Sequence, residues 1–244
     1  MNPVIIIAAL LNVLLTGCAQ PIQNESQKFE QKVGGACEGC EAVYESPIPF
    51  NKLKSDITLP DYNDAGPKLE VSGVVYKVDG KTPAGNVVVY VYHTDQKGIY
   101  AKKGDEKGWG KRHGYIRGWL KTNAKGEYCF RTLRPASYPN STNPQHIHIT
   151  IKEPGKNEYW IDEFEFADDP LRNKEKVNSK PVGGNGILTI ENENGIQKGK
   201  RNIILGLNVQ DYPTGYQPKP NLEALQTFKR IPYQAGWRLP YLSL

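Results

Sequence analysis

The sequence predicts an all-β protein, built as an antiparallel β-sandwich with loop-rich N- and C-terminal extensions. From Leu69 onward, short alternating or β-branched runs are separated by Gly, Pro and Asn residues. Such runs are typical of strands, and the residues between them are typical of turns. None of the runs shows a convincing helical period. Many short strands with regular turn signals favour a sandwich.

The predicted strands share this alternating pattern. They cover residues 69–78, 87–93, 126–132, 146–151, 159–166, 186–190 and 202–209. Two hairpin-type turns are predicted at Asp79-Gly80 and at Ala124-Lys125-Gly126, where glycine supplies a positive φ without steric cost.

The first residues have the pattern of an export signal. Residues 4–15 are almost wholly apolar, and Leu15-Thr16-Gly17-Cys18 follows. This run is too short to span a bilayer but suits the core of a signal peptide. Because Leu-Thr-Gly-Cys resembles a bacterial lipobox, we expect residues 1–17 to be removed and Cys18 to be lipidated. The expected product is anchored to a bacterial membrane on the periplasmic or cell-surface side. A plain secretory signal is the alternative.

Four further segments follow from composition. We expect a polar tether with a CxxC motif over 18–45, a connection over 46–68, the sandwich over 69–212 and an extension over 213–244. Within the extension we expect one short helix at 222–229. Its apolar Trp237, Tyr241 and Leu242 are costly to leave in water, so we expect the extension to wrap the sandwich or to contact a partner.

The charge pattern argues against nucleic-acid binding. The formal net charge is +5. The most basic stretch, residues 97–112, is rich in glycine, is flanked by Asp and Glu, and has no alternating aromatic platform.

Cys37 and Cys40 form a lone CxxC, without the second pair that a zinc ribbon needs. In an oxidising compartment the motif indicates a local disulfide, or one link to Cys129 with a thiol left over. The sequence leaves both pairings open.

A candidate metal site lies between Tyr100 and His148. His146 and His148 are two residues apart, so on a strand both imidazoles leave the same face. Tyr138 lies shortly upstream. A free phenol titrates near pH 10, so deprotonating one at pH 7 costs roughly 4 kcal/mol. Only a strong cation offsets this cost twice, and two tyrosines with two histidines therefore favour Fe(III).

The same residues carry a family resemblance. The chain resembles the intradiol ring-cleavage dioxygenases from about residue 69 to residue 209. The segments that carry the resemblance are 92–100, 122–130, 131–139, 145–148 and 166–171.

The resemblance implies both a ligand set and a reaction. Tyr138 and His146 would be axial ligands of Fe(III), and Tyr100 and His148 equatorial ligands beside a hydroxide. The implied substrates are a small catechol-type aromatic diol and O₂, and the implied product is a muconate-type diacid. Tyr138 would leave the metal and accept a substrate proton, which makes it the candidate catalytic residue. The sequence leaves a homo-oligomer open.

Two positions depart from the family pattern and are candidate substrate-proximal residues. Asn143 stands where family members commonly carry an arginine, and Glu163 aligns with a glutamine. A carboxylate beside a substrate dianion would need neutralisation by Arg112, Arg117 or Arg134.

Two alternatives follow from these observations. One is a family relative that binds iron or a catechol without cleaving it. The other is a metal-free domain, since part of the chain also resembles transthyretin-like and carboxypeptidase-regulatory-like β-domains. In a metal-free domain the two tyrosines and two histidines would have no common target.

Overall fold

The computed structural model describes residues 30–172 and 180–213. The signal segment, Cys18, the short helical run and Trp237 lie outside this range. None of the helices in the described part of the chain has the length and apolar character needed to cross a membrane.

The described residues form twelve strands and very little helix. In chain order the strands are β1 (Asp56–Thr58), β2 (Lys68–Tyr76), β3 (Val88–Tyr92), β4 (Arg117–Lys121), β5 (Glu127–Leu133), β6 (His146–Lys152), β7 (Glu158–Trp160), β8 (Phe164–Phe166), β9 (Ile187–Leu188), β10 (Glu191–Glu193), β11 (Ile196–Lys200) and β12 (Ile203–Ile204). The helical elements are 3-10 turns at Cys40–Glu45 and Phe50–Lys52 and a single α-helical turn, α1 (Gly110–His113).

The strands form two sheets. The first has the order β1-β5-β2-β11-β10, with β12 also paired to β2, and the second has the order β4-β3-β6-β8-β9, with β7 also paired to β6. The central pairs β2–β5, β3–β4 and β3–β6 are antiparallel. Shorter parallel pairs join β1 to β5, β11 and β12 to β2, and β8 to β9. The predicted sandwich is confirmed, and its outlying pairs make both sheets mixed.

The core lies between the two sheets and follows the alternation of the strands. On β6, Ile147, Ile149 and Ile151 are at most 3% exposed and face the core. His146 and His148 alternate with them and therefore point to the opposite face. Burying a large aliphatic side chain contributes about 2 kcal/mol, so the three isoleucines hold the orientation of the histidines.

The structure differs from the sequence prediction at several strands. Residues 159–166 form two strands, β7 and β8, and within 202–209 only Ile203–Ile204 is a strand. Strands β1, β4, β10 and β11 were not predicted. β4 has two inward positions, the core residue Leu120 and Gly118, where a Cβ atom would lie 2.8 Å from Ile57 Cδ1. The glycine makes room for Ile57. Because it has no side chain, it also interrupts the alternation of apolar and polar residues by which a strand is predicted.

The N-terminal segment packs against the second sheet. From Val33 onward the predicted tether of 18–45 is a packed part of the fold, because Val33, Ala42 and Val43 are all buried. Ala42 and Val43 cover Tyr90 on the outer face of β3. These few small apolar residues are too sparse to predict packing from sequence.

The cysteine pairing, which the sequence left open, is the local one. Cys37 is bonded to Cys40, and Cys129 on β5 is a free thiol.

Candidate metal centre

Two histidines project from the outer face of β6. His148 is opposite Tyr92 of β3, and His146 is opposite Glu165 of β8. The antiparallel neighbours on both sides fix the position of β6 in the sheet. Both imidazoles therefore leave one face, as the two-residue spacing predicted.

Two loops bring the tyrosines to this face. Tyr100 follows β3 and Tyr138 follows β5. Ala136 donates its N–H to the Asp95 carbonyl at 3.1 Å, and the Thr94 hydroxyl donates to the Ala136 carbonyl at 2.6 Å. These bonds join the start of one loop to the other, so the two tyrosines are positioned together.

The four side chains converge on one point. The Tyr100 oxygen lies 2.7 Å from His148 Nε2, and the Tyr138 oxygen lies 3.0 Å from His146 Nε2 and 3.2 Å from His148 Nε2. The two phenol oxygens are also in hydrogen-bond contact with each other. The structure therefore brings together all four residues that the sequence singled out as metal ligands.

Contacts behind the rings orient both imidazoles. His146 Nδ1 lies 2.7 Å from the Pro144 carbonyl oxygen, which can only accept a hydrogen bond, so Nδ1 carries the hydrogen. His148 Nδ1 lies 3.4 Å from Glu163 Oε1, which favours the same tautomer. In both rings the lone pair of Nε2 then faces the point where the four side chains meet. A partner at the outer ring nitrogen is typical of metal-binding histidines.

Protonation of the site reflects its burial. Burial raises the pKa of Tyr100, and the hydrogen bond that it shares with Tyr138 raises it further. Burial also raises the pKa of Tyr138 and lowers the pKa of His146. The contact with His148 lowers the pKa of Glu163. The site thus holds neutral phenols, a neutral imidazole at His146 and one carboxylate, so an added cation would be attracted by Glu163 and by phenols able to ionise.

A stack of rings that the sequence analysis missed lies against His148. The Tyr92 ring is 4.5 Å from the His148 ring with 17° between their planes, and 3.8 Å from the His113 ring with 6° between their planes. Tyr92 could have been found, because it alternates with inward Val91 on β3. His113 had no such signal, because α1 and the following loop bring it to Tyr92 from a distant part of the chain.

The two positions that depart from the family pattern, Asn143 and Glu163, lie in different surroundings. Asn143 is exposed, in the loop that leads to His146, and its N–H binds Ser141 Oγ at 3.0 Å. Glu163 contacts His148 and is not paired with any of the three arginines proposed to neutralise it. Those arginines pair elsewhere: Arg112 with Glu38, Arg117 with Glu45 and Arg134 with Asp168. The condition stated from the sequence, that one of these arginines neutralises Glu163, is not met by these ion pairs.

The donor set fits Fe(III). Two phenol oxygens and two imidazole nitrogens converge, and phenolate is a hard anionic ligand that a ferric ion stabilises. Over residues 30–172 and 180–213 there is no cluster of three or more His, Cys, Asp and Glu side chains suited to a metal ion. The candidate centre is of a different kind, because two of its four donor atoms are tyrosine oxygens.

Comparison with known proteins identifies the family. The family model described as "Dioxygenase" matches residues 45–201. Catechol 1,2-dioxygenase 1 of Acinetobacter lwoffii is 34% identical over 163 residues, which cover 60% of this chain and 51% of the relative. Catechol 1,2-dioxygenase 2 of the same organism is 27% identical over 136 residues, covering 45% and 48%. The chain belongs to the intradiol ring-cleavage dioxygenase family. It spans about half the length of these two relatives.

Two solved structures are also similar. The dioxygenase domain of a dioxygenase carbohydrate-binding protein fusion from Streptomyces sp. SirexAA-E is 23% identical, with a TM-score of 0.48, covering 66% of this chain and 94% of that one. Catechol 1,2-dioxygenase from Acinetobacter sp. ADP1 is 19% identical, with a TM-score of 0.47, covering 62% and 56%.

Proposed function

We propose that this protein is an Fe(III)-dependent intradiol dioxygenase that uses O₂ to cleave a catechol-type aromatic diol to a muconate-type diacid. One observation carries the proposal. Two loops and one strand supply four side chains, those of Tyr100, Tyr138, His146 and His148. Their phenol oxygens lie 2.7 to 3.2 Å from the imidazole nitrogens that they contact. Family membership supports the same reaction class.

The four residues would hold the metal, and ferric iron, when bound, supplies the Lewis acidity that activates a chelated diol toward O₂. The protein's own contribution is orientation and proton transfer. The Pro144 carbonyl holds His146, and the Glu163 carboxylate faces His148, so both Nε2 atoms are directed inward. Tyr138 would be ionised when the metal is held, and we assign its phenolate oxygen the acceptance of one substrate proton, which returns it to the neutral phenol; that oxygen contacts both imidazoles and Tyr100.

Iron loading and oxygen uptake test the proposal. Iron-free protein given Fe(III) should develop a visible tyrosinate-to-iron band, and adding catechol in air should consume O₂ as a muconate absorbance grows. His146→Ala serves as the ligand-deficient control. A wild-type protein that stays colourless at saturating Fe(III) would exclude iron binding through tyrosine.

A non-catalytic iron or catechol binder is the second candidate. It is favoured by Asn143, an exposed neutral residue where the family commonly carries a cation, and by the carboxylate of Glu163 near His148. In this case catechol would shift the visible band while O₂ stays constant with every simple diol tried.

We also propose, from the sequence alone, that the protein is exported and anchored through a lipid on Cys18. Expression in a bacterial host should give a membrane-associated mature protein whose first residue is a lipid-modified Cys18, as mass spectrometry can determine. Cys18→Ser should release it from the membrane fraction. An unmodified Cys18 in a soluble mature form would contradict the proposal.

A further inference from the structure

The ring of Tyr92 lies between His148 and a histidine that has no part in the proposed ligand set. The His148 and Tyr92 ring centres are 4.5 Å apart, and those of Tyr92 and His113 are 3.8 Å apart, with nearly parallel planes in both contacts. Three flat rings therefore form one continuous stack that ends at a candidate iron ligand. Because packed side chains leave no gap to absorb movement, displacing His113 displaces Tyr92 and then His148.

His113 is itself held from two sides. The Tyr90 hydroxyl lies 2.8 Å from His113 Nδ1, and His113 is only 6% exposed. On the other edge is Gly39, where a Cβ atom would lie 2.8 Å from His113 Nε2. Only glycine fits this contact, and its φ of +90° also favours glycine.

Gly39 belongs to the loop that the Cys37–Cys40 disulfide closes. This loop is fastened to the same sheet at a second point, because the Thr150 hydroxyl lies 3.7 Å from Cys40 Sγ. Thr150 is two residues beyond His148 on β6 and shares its face. Glu38 in the loop also pairs with Arg112, the residue before His113. The loop is thereby held against both the strand that carries His148 and the stack behind it.

We propose that His113 is a positioning residue for His148, that it acts through the ring of Tyr92, and that the disulfide-closed loop 37–40 holds it in place. The role of His148 as an iron ligand rests on the proposed function, whereas the stack itself does not. The contacts of His113 are with Tyr90, Tyr92, Trp109 and Gly39, away from the converging donor atoms. It sets the ring plane and the inward reach of His148.

The test compares two substitutions at one position. His113→Leu removes the flat ring at similar volume, and His113→Phe keeps a flat ring without the nitrogens. After Fe(III) loading, we expect His113→Leu to shift the maximum of the tyrosinate band and to weaken iron retention against a chelator by about tenfold, as the loss of an outer-shell partner does. His113→Phe should retain iron as wild type does, because a flat ring still supports Tyr92.

Val71→Ala controls for general destabilisation, because Val71 is fully buried in the first sheet. It should lower the melting temperature and leave the band unchanged. A His113→Leu protein that is folded, and whose band and iron retention match wild type, would overturn the proposal. If His113→Leu does not fold, two other variants replace it: Gly39→Ala, and the double variant Cys37→Ser, Cys40→Ser. We expect both to shift the tyrosinate band and to weaken iron retention. Wild-type values in both would overturn the proposal.

An iron-free measurement separates this inference from the proposed function. In the NMR spectrum of iron-free protein, the ring-proton resonances of His148 should move in His113→Leu and stay near their wild-type positions in His113→Phe. Unmoved His148 resonances in His113→Leu would overturn the positioning role. A wild-type protein that binds no Fe(III) would instead overturn the proposed function, and the NMR result would still decide the role of His113.

Discussion

The backbone of Gly98 lies directly against the carbonyl oxygen of Ser137. A Cβ atom at Gly98 would be 1.9 Å from that oxygen, and the φ of Gly98 is +76°. Gly98 is two residues before Tyr100, and Ser137 directly precedes Tyr138. The close approach of these two loops therefore sets the distance between the two candidate phenolate ligands.

Gly98→Ala should separate the loops and lower iron affinity. The added methyl group cannot fit against a backbone carbonyl, so we expect a loss of about 3 kcal/mol of unfolding free energy and a weaker tyrosinate band. Chemical denaturation and iron titration measure the two effects. Gly155→Ala is the matched control, because Gly155 has a φ of +77° but nothing within 4 Å of its Cβ position. Equal losses in both variants would show that backbone strain alone is responsible.

Removing either phenol hydroxyl should reduce the visible band. Tyr100→Phe and Tyr138→Phe each leave a single tyrosine donor, so the absorbance per bound iron should fall in both. Tyr138→Phe should also lower turnover by about a hundredfold or more, since it removes the assigned proton acceptor. Tyr44→Phe is the control, because the Tyr44 hydroxyl binds Glu158 at 2.7 Å on the surface. Full turnover in Tyr138→Phe would contradict the assignment.

Glu163→Gln tests the contact with His148 Nδ1. A neutral amide is a weaker acceptor than a carboxylate, so iron retention should fall by up to about tenfold and the tyrosinate band should shift. The control is Glu193→Gln, which removes a carboxylate paired with Lys198 on the surface. Retention equal to that of wild type would mean that the 3.4 Å contact leaves the ligand unaffected.

Stability of the iron-free protein should fall as the pH drops from about 6.5 toward 4. Burial lowers the pKa of His113 to about 4, and it also lowers the pKa of His93 and of His146. Between the folded and unfolded pKa values the unfolded chain binds more protons, so acid favours unfolding. Urea titrations at pH 7 and pH 4.5 should differ by about 2 kcal/mol or more. His113→Phe should reduce this difference, and an unchanged difference would exclude a contribution from His113.

Asn143→Arg should raise turnover. A cation at this position would offset the negative charge of a bound diol, and we expect kcat/KM with catechol to rise about tenfold, which corresponds to about 1.4 kcal/mol. Asn143→Gln keeps the site neutral and should leave the rate unchanged. Equal rates in all three proteins would mean that charge at position 143 does not limit the reaction.

The parts of the fold that the sequence predicted are those with strong local alternation. β2, β3 and β6 carry regular apolar positions, and all three were found. β4 was missed because only one of its two inward positions, Leu120, has an apolar side chain and the other is Gly118. The packing of Val33 to Glu45 was missed because it depends on contacts distant in the chain. The same difference applies to the site. The four candidate ligands lie in recognisable segments, whereas the stacking of His113 on Tyr92 requires the folded structure.

The alternation of apolar and histidine side chains along β6 also determines its register in the sheet. Moving this strand by one residue against its neighbours would turn both imidazoles into the space between the sheets and expose Ile147 and Ile149 to water. Such a misaligned state would lose the burial of apolar side chains and would also bury polar rings among them. Both changes make its free energy less favourable, whether or not a metal ion is bound. The isoleucines on the core-facing side of β6 therefore select the strand register in which both histidines point toward the candidate metal centre.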